Sequence, residues 1–161
     1  MPGSTAKMLD RSIVAHVAET CLCLHTQRAA RALARLFDTA LRPFGLSNGQ
    51  FSLLMALNRP EPHSVGMLAT FLAMDRTSLT AALKPLQRRG LVQIEADKAD
   101  RRSRLISITR EGVVLLEAAL PTWRETHAGL DVALGGEEPA RLRAGLRNMP
   151  AKAASVSQVE E

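Results

Sequence analysis

The chain has 161 residues, 46% of them apolar and 23% charged, enough for one compact domain or a small core with helical extensions but not for two large domains. Lys and Arg number 21 against 16 Asp and Glu, leaving a net charge of +5, a balance that favours a polyanionic partner such as nucleic acid. The sequence has no Gly-rich phosphate loop, no His-x-x-His or paired Cys-x-x-Cys spacing and no Gly-x-Ser-x-Gly elbow, which excludes most enzyme chemistry. His16, His25, His63 and His127 do not combine with the two cysteines into any spacing that a metal or a catalytic triad demands, so neither metal nor cofactor is expected. No uncharged apolar run reaches the length of a membrane span, and the opening MPGSTAKMLDR lacks the apolar centre of a secretory signal. The expectation is a soluble, cytoplasmic protein without a membrane partner.

Taken in order, the chain first shows helical spacing from Met8 to Phe44. Val14, Val17, Cys21, Leu24, Leu33, Leu36, Phe37, Ala40 and Leu41 form the apolar stripe, with no Gly or Pro before Pro43, and one long helix is predicted. On that helix Cys21 and Cys23 would point about 200° apart, a geometry that does not suit a bridge between them. Gly45 stops the helix, Ser47 is a good N-cap, and Phe51, Leu54, Met55 and Leu57 mark a second helix ending near Arg59-Pro60. Glu61-Pro62-His63 reads as loop, and a short third helix from about Ser64 carries Val65, Leu68, Ala69 and Leu72. Asp75 opens a fourth helix with Leu79, Leu83 and Leu86 on one face and Arg76, Thr77, Thr80 and Lys84 on others, closed by Gly90. Pro85 within it should kink the helix or tighten its last turn.

After Gly90 the period falls to two. Val92 and Ile94, then Leu105 to Ile108, predict a two-stranded β-hairpin with a long charged tip, ADKADRRSR. From Arg110, Val113, Leu116, Leu120, Trp123, His127, Leu130 and Leu134 form a heptad-like seam, which Pro121 is expected to bend. Gly135-Gly136 end this helix, and a last short helix with Leu142, Leu146 and Met149 follows. The residues from Pro150 onward, 150–161, read as a frayed or disordered tail.

Helix, helix, short helix, helix and hairpin, in that order, join a helix-turn-helix to a β wing. The charge supports this reading. From Asp75 to Arg110 there are nine basic residues (Arg76, Lys84, Arg88, Arg89, Lys98, Arg101, Arg102, Arg104 and Arg110) against Asp75, Glu95, Asp97 and Asp100. The remainder has twelve of each sign, so the whole surplus lies on the fourth helix and the hairpin. An Arg-rich loop alone is an ordinary solvated turn, and a polar helix face an ordinary surface. Combined with the element order and the concentrated charge, they point to duplex DNA. Arg76, Thr77, Ser78 and Thr80, near the start of the fourth helix, are the candidates for reading base edges in a major groove. Lys84 and Arg88 or Arg89 suit phosphates, and Arg101, Arg102 and Arg104 on the narrow ribbon suit a minor groove.

The stretches GLSNGQFSLLMAL, LATFLAMDRTSLTAALKPLQRRGLV and DKADRRSRLISITREG, from Leu46 to Gly112, resemble the MarR (multiple antibiotic resistance regulator) family of bacterial winged-helix transcription factors. The Asp100-x-Arg102-x-Arg104 spacing is similar to that family's wing signature. The resemblance implies a mainly α fold, with a winged helix-turn-helix DNA-binding domain over 46–109. The segments 8–45 and 110–149 would supply the dimerisation helices of a homodimer on a roughly palindromic operator. It also implies that Asp100 orients an Arg of the wing through a charge-assisted pair, and that a signal releases the protein from DNA.

Two signals fit that family. Peroxide-responsive members carry a reactive cysteine in the first helix, which makes Cys21 and Cys23 candidates for an oxidant sensor, although Cys21 on the apolar stripe also reads as a small core residue. Members that bind an aromatic acid suggest a pocket lined by His25, Arg28 and Arg31 of the first helix with Gln50, Phe51 and Met55 of the second. His25 in an interface and Phe51 and Met55 in a core are equally ordinary. A winged module that only contacts other proteins is the competing reading, and salt dependence discriminates it from a DNA binder.

Overall fold

The computed structural model describes residues 8–97, 100 and 103–157. Seven α-helices and three short strands appear among them: α1 (Arg11–Thr20), α2 (Leu22–Leu41), α3 (Asn48–Leu57), β1 (His63–Ser64), α4 (Val65–Phe71), α5 (Arg76–Arg88), β2 (Val92–Ala96), β3 (Arg104–Ile108), α6 (Arg110–Leu134) and α7 (Glu138–Ser157).

The single long N-terminal helix predicted from the apolar stripe is in fact two. Cys21 adopts an extended backbone between them, at φ −72° and ψ 104°, and caps α2 by accepting the Leu24 N–H at its Sγ, 3.4 Å away. Side chains stabilise this break where neither Gly nor Pro forces it. Thr20 Oγ1 donates to the His16 carbonyl at 2.8 Å, and the His25 ring pairs with the Glu19 carbonyl at 3.1 Å. The Leu24 N–H and the Glu19 carbonyl, which a continued helix would pair with the Thr20 carbonyl and the Cys23 N–H, thereby find side-chain partners. Because Cys21 stands outside the helix, the angular separation expected of the two cysteines does not apply.

A 3₁₀ turn, Arg42–Phe44, follows α2 and ends at Gly45, whose left-handed φ of 63° suits glycine. Ser47 then makes the reciprocal capping box of α3. Its Oγ accepts the Gln50 N–H at 3.2 Å while Gln50 Oε1 accepts the Ser47 N–H at 3.0 Å. α3 buries Phe51, Leu53, Leu54, Ala56 and Leu57 and so forms the centre of the core. Leu41 and Phe37 of α2, Leu68 of α4, Leu79, Leu83 and Leu86 of α5, Ile106 of β3 and Leu116 and Ala119 of α6 pack around it. Stripping such side chains from water is the main stabilising term.

The wing differs from its sequence reading by one strand. His63, expected as loop, and Ser64, expected to begin the third helix, pair antiparallel with Ile106 and Leu105, so the sheet has the order β1-β3-β2 and three strands. A two-residue strand has no periodicity of its own and is specified only by the partner it meets. Between β2 and β3 the register runs from Val92↔Ile108 to Ala96↔Arg104. In α5 the helix continues through Pro85, and its last turn is tightened, with the Gly90 N–H bonding the Gln87 carbonyl at 2.9 Å. At the start of α6, a Cβ on Gly112 would collide with the Leu91 carbonyl and come within 2.7 Å of Ile108 Cγ1, so this helix can approach the sheet only with glycine there. The tail expected from Pro150 is helical as far as Ser157. The segment PAKAAS is rich in alanine, the best helix former, and Pro150 interrupts a single bond.

Candidate nucleic-acid interface

Asp75 caps α5 by accepting the Ser78 N–H at 2.8 Å. Hydrogen bonds from the Ser78 side chain, and then from its backbone, hold the Asp75 carboxyl below the ordinary carboxylate range. The cap fixes the first turn of α5 just where Arg76, Thr77, Ser78 and Thr80 stand exposed, with Lys84 one turn further along the solvent side. Leu79, Leu83 and Leu86 anchor the opposite face in the core. The amphipathic reading of this helix and its polar face agree with the structure. Thr80 Oγ1 donates to the Arg76 carbonyl at 2.7 Å, so its proton is already engaged. The Arg76 guanidinium reaches back over α4, where a Cβ added to Gly66 would lie 3.3 Å from Nη2.

Between α4 and α5 the turn is tight, with Ala73 at a left-handed φ of 51°. The Met74 N–H bonds the Ala69 carbonyl at 2.9 Å and the Ala73 N–H the Thr70 carbonyl at 3.2 Å. This pair of helices and its turn hold the exposed face of α5 clear of the core. On the hairpin, the Asp97 N–H bonds the Ser103 carbonyl at 3.1 Å and the Ser103 N–H bonds the Asp100 carbonyl at 2.8 Å. Arg104 is exposed at the base of the tip. Arg101 and Arg102, two of the wing residues singled out above, lie with Lys98 outside the described residues.

Arg89, grouped with Arg88 as a phosphate candidate, is turned toward the protein. Its Nη1 donates to the Gly45 carbonyl at 2.6 Å and its Nη2 to the Phe44 carbonyl at 3.4 Å. Sequence reasoning missed this, because the two partners lie more than forty residues away along the chain.

The residues proposed for an acid-binding pocket do not converge within one protomer. His25 faces the α1–α2 break, Arg28 and Arg31 flank a shallow groove on α2 with Arg35, and Gln50 is held in the α3 cap. Phe51 and Met55 do share a cavity, of about 380 Å³, but with Arg59, Phe71, Leu120 and Trp123. The Trp123 and Phe51 rings stack there with centroids 5.8 Å apart, and the Arg59 guanidinium lies 5.3 Å above the Phe71 ring. No local signal could have joined Arg59 to Trp123, which come from α3's end and from α6. Cys21 is partly buried and Cys23 exposed, both as free thiols. Among the described residues no group of three or more His, Cys, Asp or Glu is placed to share a metal ion, and no helix is long and apolar enough to cross a membrane.

A capped, exposed helix following a tight turn, with a basic hairpin beside it, defines a winged helix-turn-helix protein. A profile of the MarR family matches residues 44–103. The transcriptional regulator MosR of M. tuberculosis, solved in complex with DNA, is 37% identical and superposes with a TM-score of 0.75, over 84% of this chain and 98% of that one. The transcriptional regulator HosA of Escherichia coli O111:H- is 30% identical over 65% of this chain and 77% of its own length. BadR of Rhodopseudomonas palustris, a transcriptional activatory protein, is 36% identical over 53% of this chain, and the match spans 50% of its own length. The chain belongs to the MarR family, whose members are transcriptional regulators rather than enzymes.

Proposed function

We propose that this chain is a homodimeric, sequence-specific DNA-binding transcriptional regulator, acting in the cytoplasm as a repressor that a chemical signal releases. The observation that carries the reading is that the whole charge surplus falls in the segment from Asp75 to Arg110, which contains α5 with its exposed polar N-terminal face and the hairpin. MosR, similar to this chain at 37% identity, has been solved with DNA, which supports duplex DNA as the partner. Arg76, Thr77, Ser78 and Thr80 would meet base edges in the major groove, with Lys84 on phosphate. Arg101, Arg102 and Arg104 would follow the adjacent minor groove, with Asp100 orienting one of them. Two copies would hold two α5 helices at roughly 34–36 Å, one turn of B-form DNA, on a roughly palindromic operator.

Salt is the test. Affinity for a duplex selected by the protein from a random-sequence pool should fall by orders of magnitude between roughly 50 and 200 mM salt. Arg104→Ala should weaken binding to all sequences alike. Binding that ignores salt, or a failure to select any duplex, would favour the protein-contact reading instead.

Two observations bear on the signal. The cavity beneath Arg59 is apolar, with aromatic faces and one cation at its rim, the chemistry that suits a flat organic acid. Cys21 caps α2 through its sulfur, so oxidation there would alter the cap on which the α1–α2 break rests. Fluorescence of Trp123, which lines the cavity, should respond to an acid that binds there and remain unchanged on oxidation of Cys21 alone.

A further inference from the structure

α5 is exposed at its N-terminal end, and its other end is held from two sides. On one side the Arg89 guanidinium grips the Gly45 and Phe44 carbonyls through two separate nitrogens, at 2.6 and 3.4 Å. Those carbonyls belong to the turn that ends α2. Gly45 is fixed there by its left-handed backbone and by its N–H on the Arg42 carbonyl at 2.9 Å, and a Cβ on it would lie only 3.4 Å from Arg89 Nη2. On the other side Thr109, the N-cap of α6, donates its hydroxyl to the Gly90 carbonyl at 2.7 Å and its N–H to the Leu91 carbonyl at 3.1 Å. The C-cap of α5 and the two residues after it are thus tied to the end of α2 and the start of α6, the two helices that flank the winged module.

The geometry points to Arg89 as a positioning residue for DNA recognition, one that sets the orientation of α5 relative to α2 and so the spacing of half-sites the protein accepts. This rests on the DNA-binding reading above. A planar guanidinium with two engaged nitrogens fixes rotation as well as distance, which a lysine ammonium reaching one carbonyl does not. Leu79, Leu83 and Leu86 are fully buried and take no part in the Arg89 grip, so its loss should free the angle of α5 without unfolding it.

The experiment compares wild type, Arg89→Lys, Arg89→Ala and Arg88→Ala on the duplex that the wild-type chain selects from a random pool, and on the same duplex with one base pair inserted between half-sites. Thermal melting of each variant confirms folding. Wild type should prefer the selected spacing by about tenfold or more. Arg89→Lys and Arg89→Ala should reduce that preference to within about threefold while leaving the slope of affinity against salt unchanged. Arg88→Ala should do the reverse, lowering the slope by about 0.9 and keeping the preference, as a phosphate contact would. If Arg89→Lys behaves like wild type, or Arg89→Ala lowers the slope and keeps the preference, Arg89 is a phosphate contact and the inference is overturned. A wild-type chain that selects no duplex overturns the DNA-binding reading itself, a different outcome from either.

Discussion

Thr77 and Thr80 lie on the same exposed face of α5, yet they offer different groups to a base. Thr80 has its hydroxyl proton on the Arg76 carbonyl at 2.7 Å, so toward DNA it presents a methyl group and oxygen lone pairs. Replacing it by valine keeps the methyl and removes the lone pairs. The preferred operator should stay unchanged if Thr80 contacts DNA through its methyl group and shift at one base position if it contacts through its oxygen. Thr77→Ala should change the preference at one base position and cost about 0.5–1.5 kcal/mol on the original site, the worth of a single hydrogen bond. Repeating the selection from random duplexes with each variant measures both, and an unaltered consensus for Thr77→Ala would remove it from the reading set. At this scale the local residues were legible: Ser47, Asp75 and Gly90 mark their helix ends because a cap or a left-handed stop depends on the immediate chain. Arg89 was not, since its basic character in the sequence suits a phosphate and a distant carbonyl equally well.

The helices show where periodicity suffices and where it does not. α6 was readable end to end, from Arg110 to the glycine pair, because its seam repeats over 25 residues. The break at Cys21 was hidden, because the side-chain hydrogen bonds that span it have no sequence signature. On α6 the inward face carries an aromatic stack that titrates. The His127 ring centroid lies 4.2 Å from that of Trp123 and 4.6 Å from that of Phe37 of α2. Burial is the chief cause that pushes its pKa below the ordinary 6.5, Asp131 pulls the other way, and Arg143 of α7, paired with Asp131 at 2.9 Å, lowers it further. The unfolded chain therefore takes up this proton first. The stabilisation is complete above about pH 6.5, declines as pH falls toward the folded-state value, and levels off below it. Melting temperatures between pH 7.5 and 5 should fall for wild type and fall less for His127→Gln; parallel curves would contradict the assignment.

For the molecule as a whole, the charge surplus was the most legible property, since it is additive and needs no coordinates. The cavity was the least, because α3, α4 and α6 meet only through tertiary packing. Ile13, Val14 and Val17 of α1, Leu33 and Leu36 of α2 and Leu142, Leu146 and Met149 of α7 are all exposed in the single chain. In the proposed homodimer a second copy would cover these side chains. Light scattering should give a mass twice the 17.5 kDa of the chain, and Val17→Asp combined with Leu146→Asp should shift it toward one chain.

α1 buries none of its ten residues, and a helix that short has little reason to persist in water by itself. Its order must then be borrowed from whatever lies against it. Diluting the protein should unravel this segment before anything else, and trypsin cutting at Arg11 would act as a gauge of association, accelerating as partners separate while the winged module stays intact.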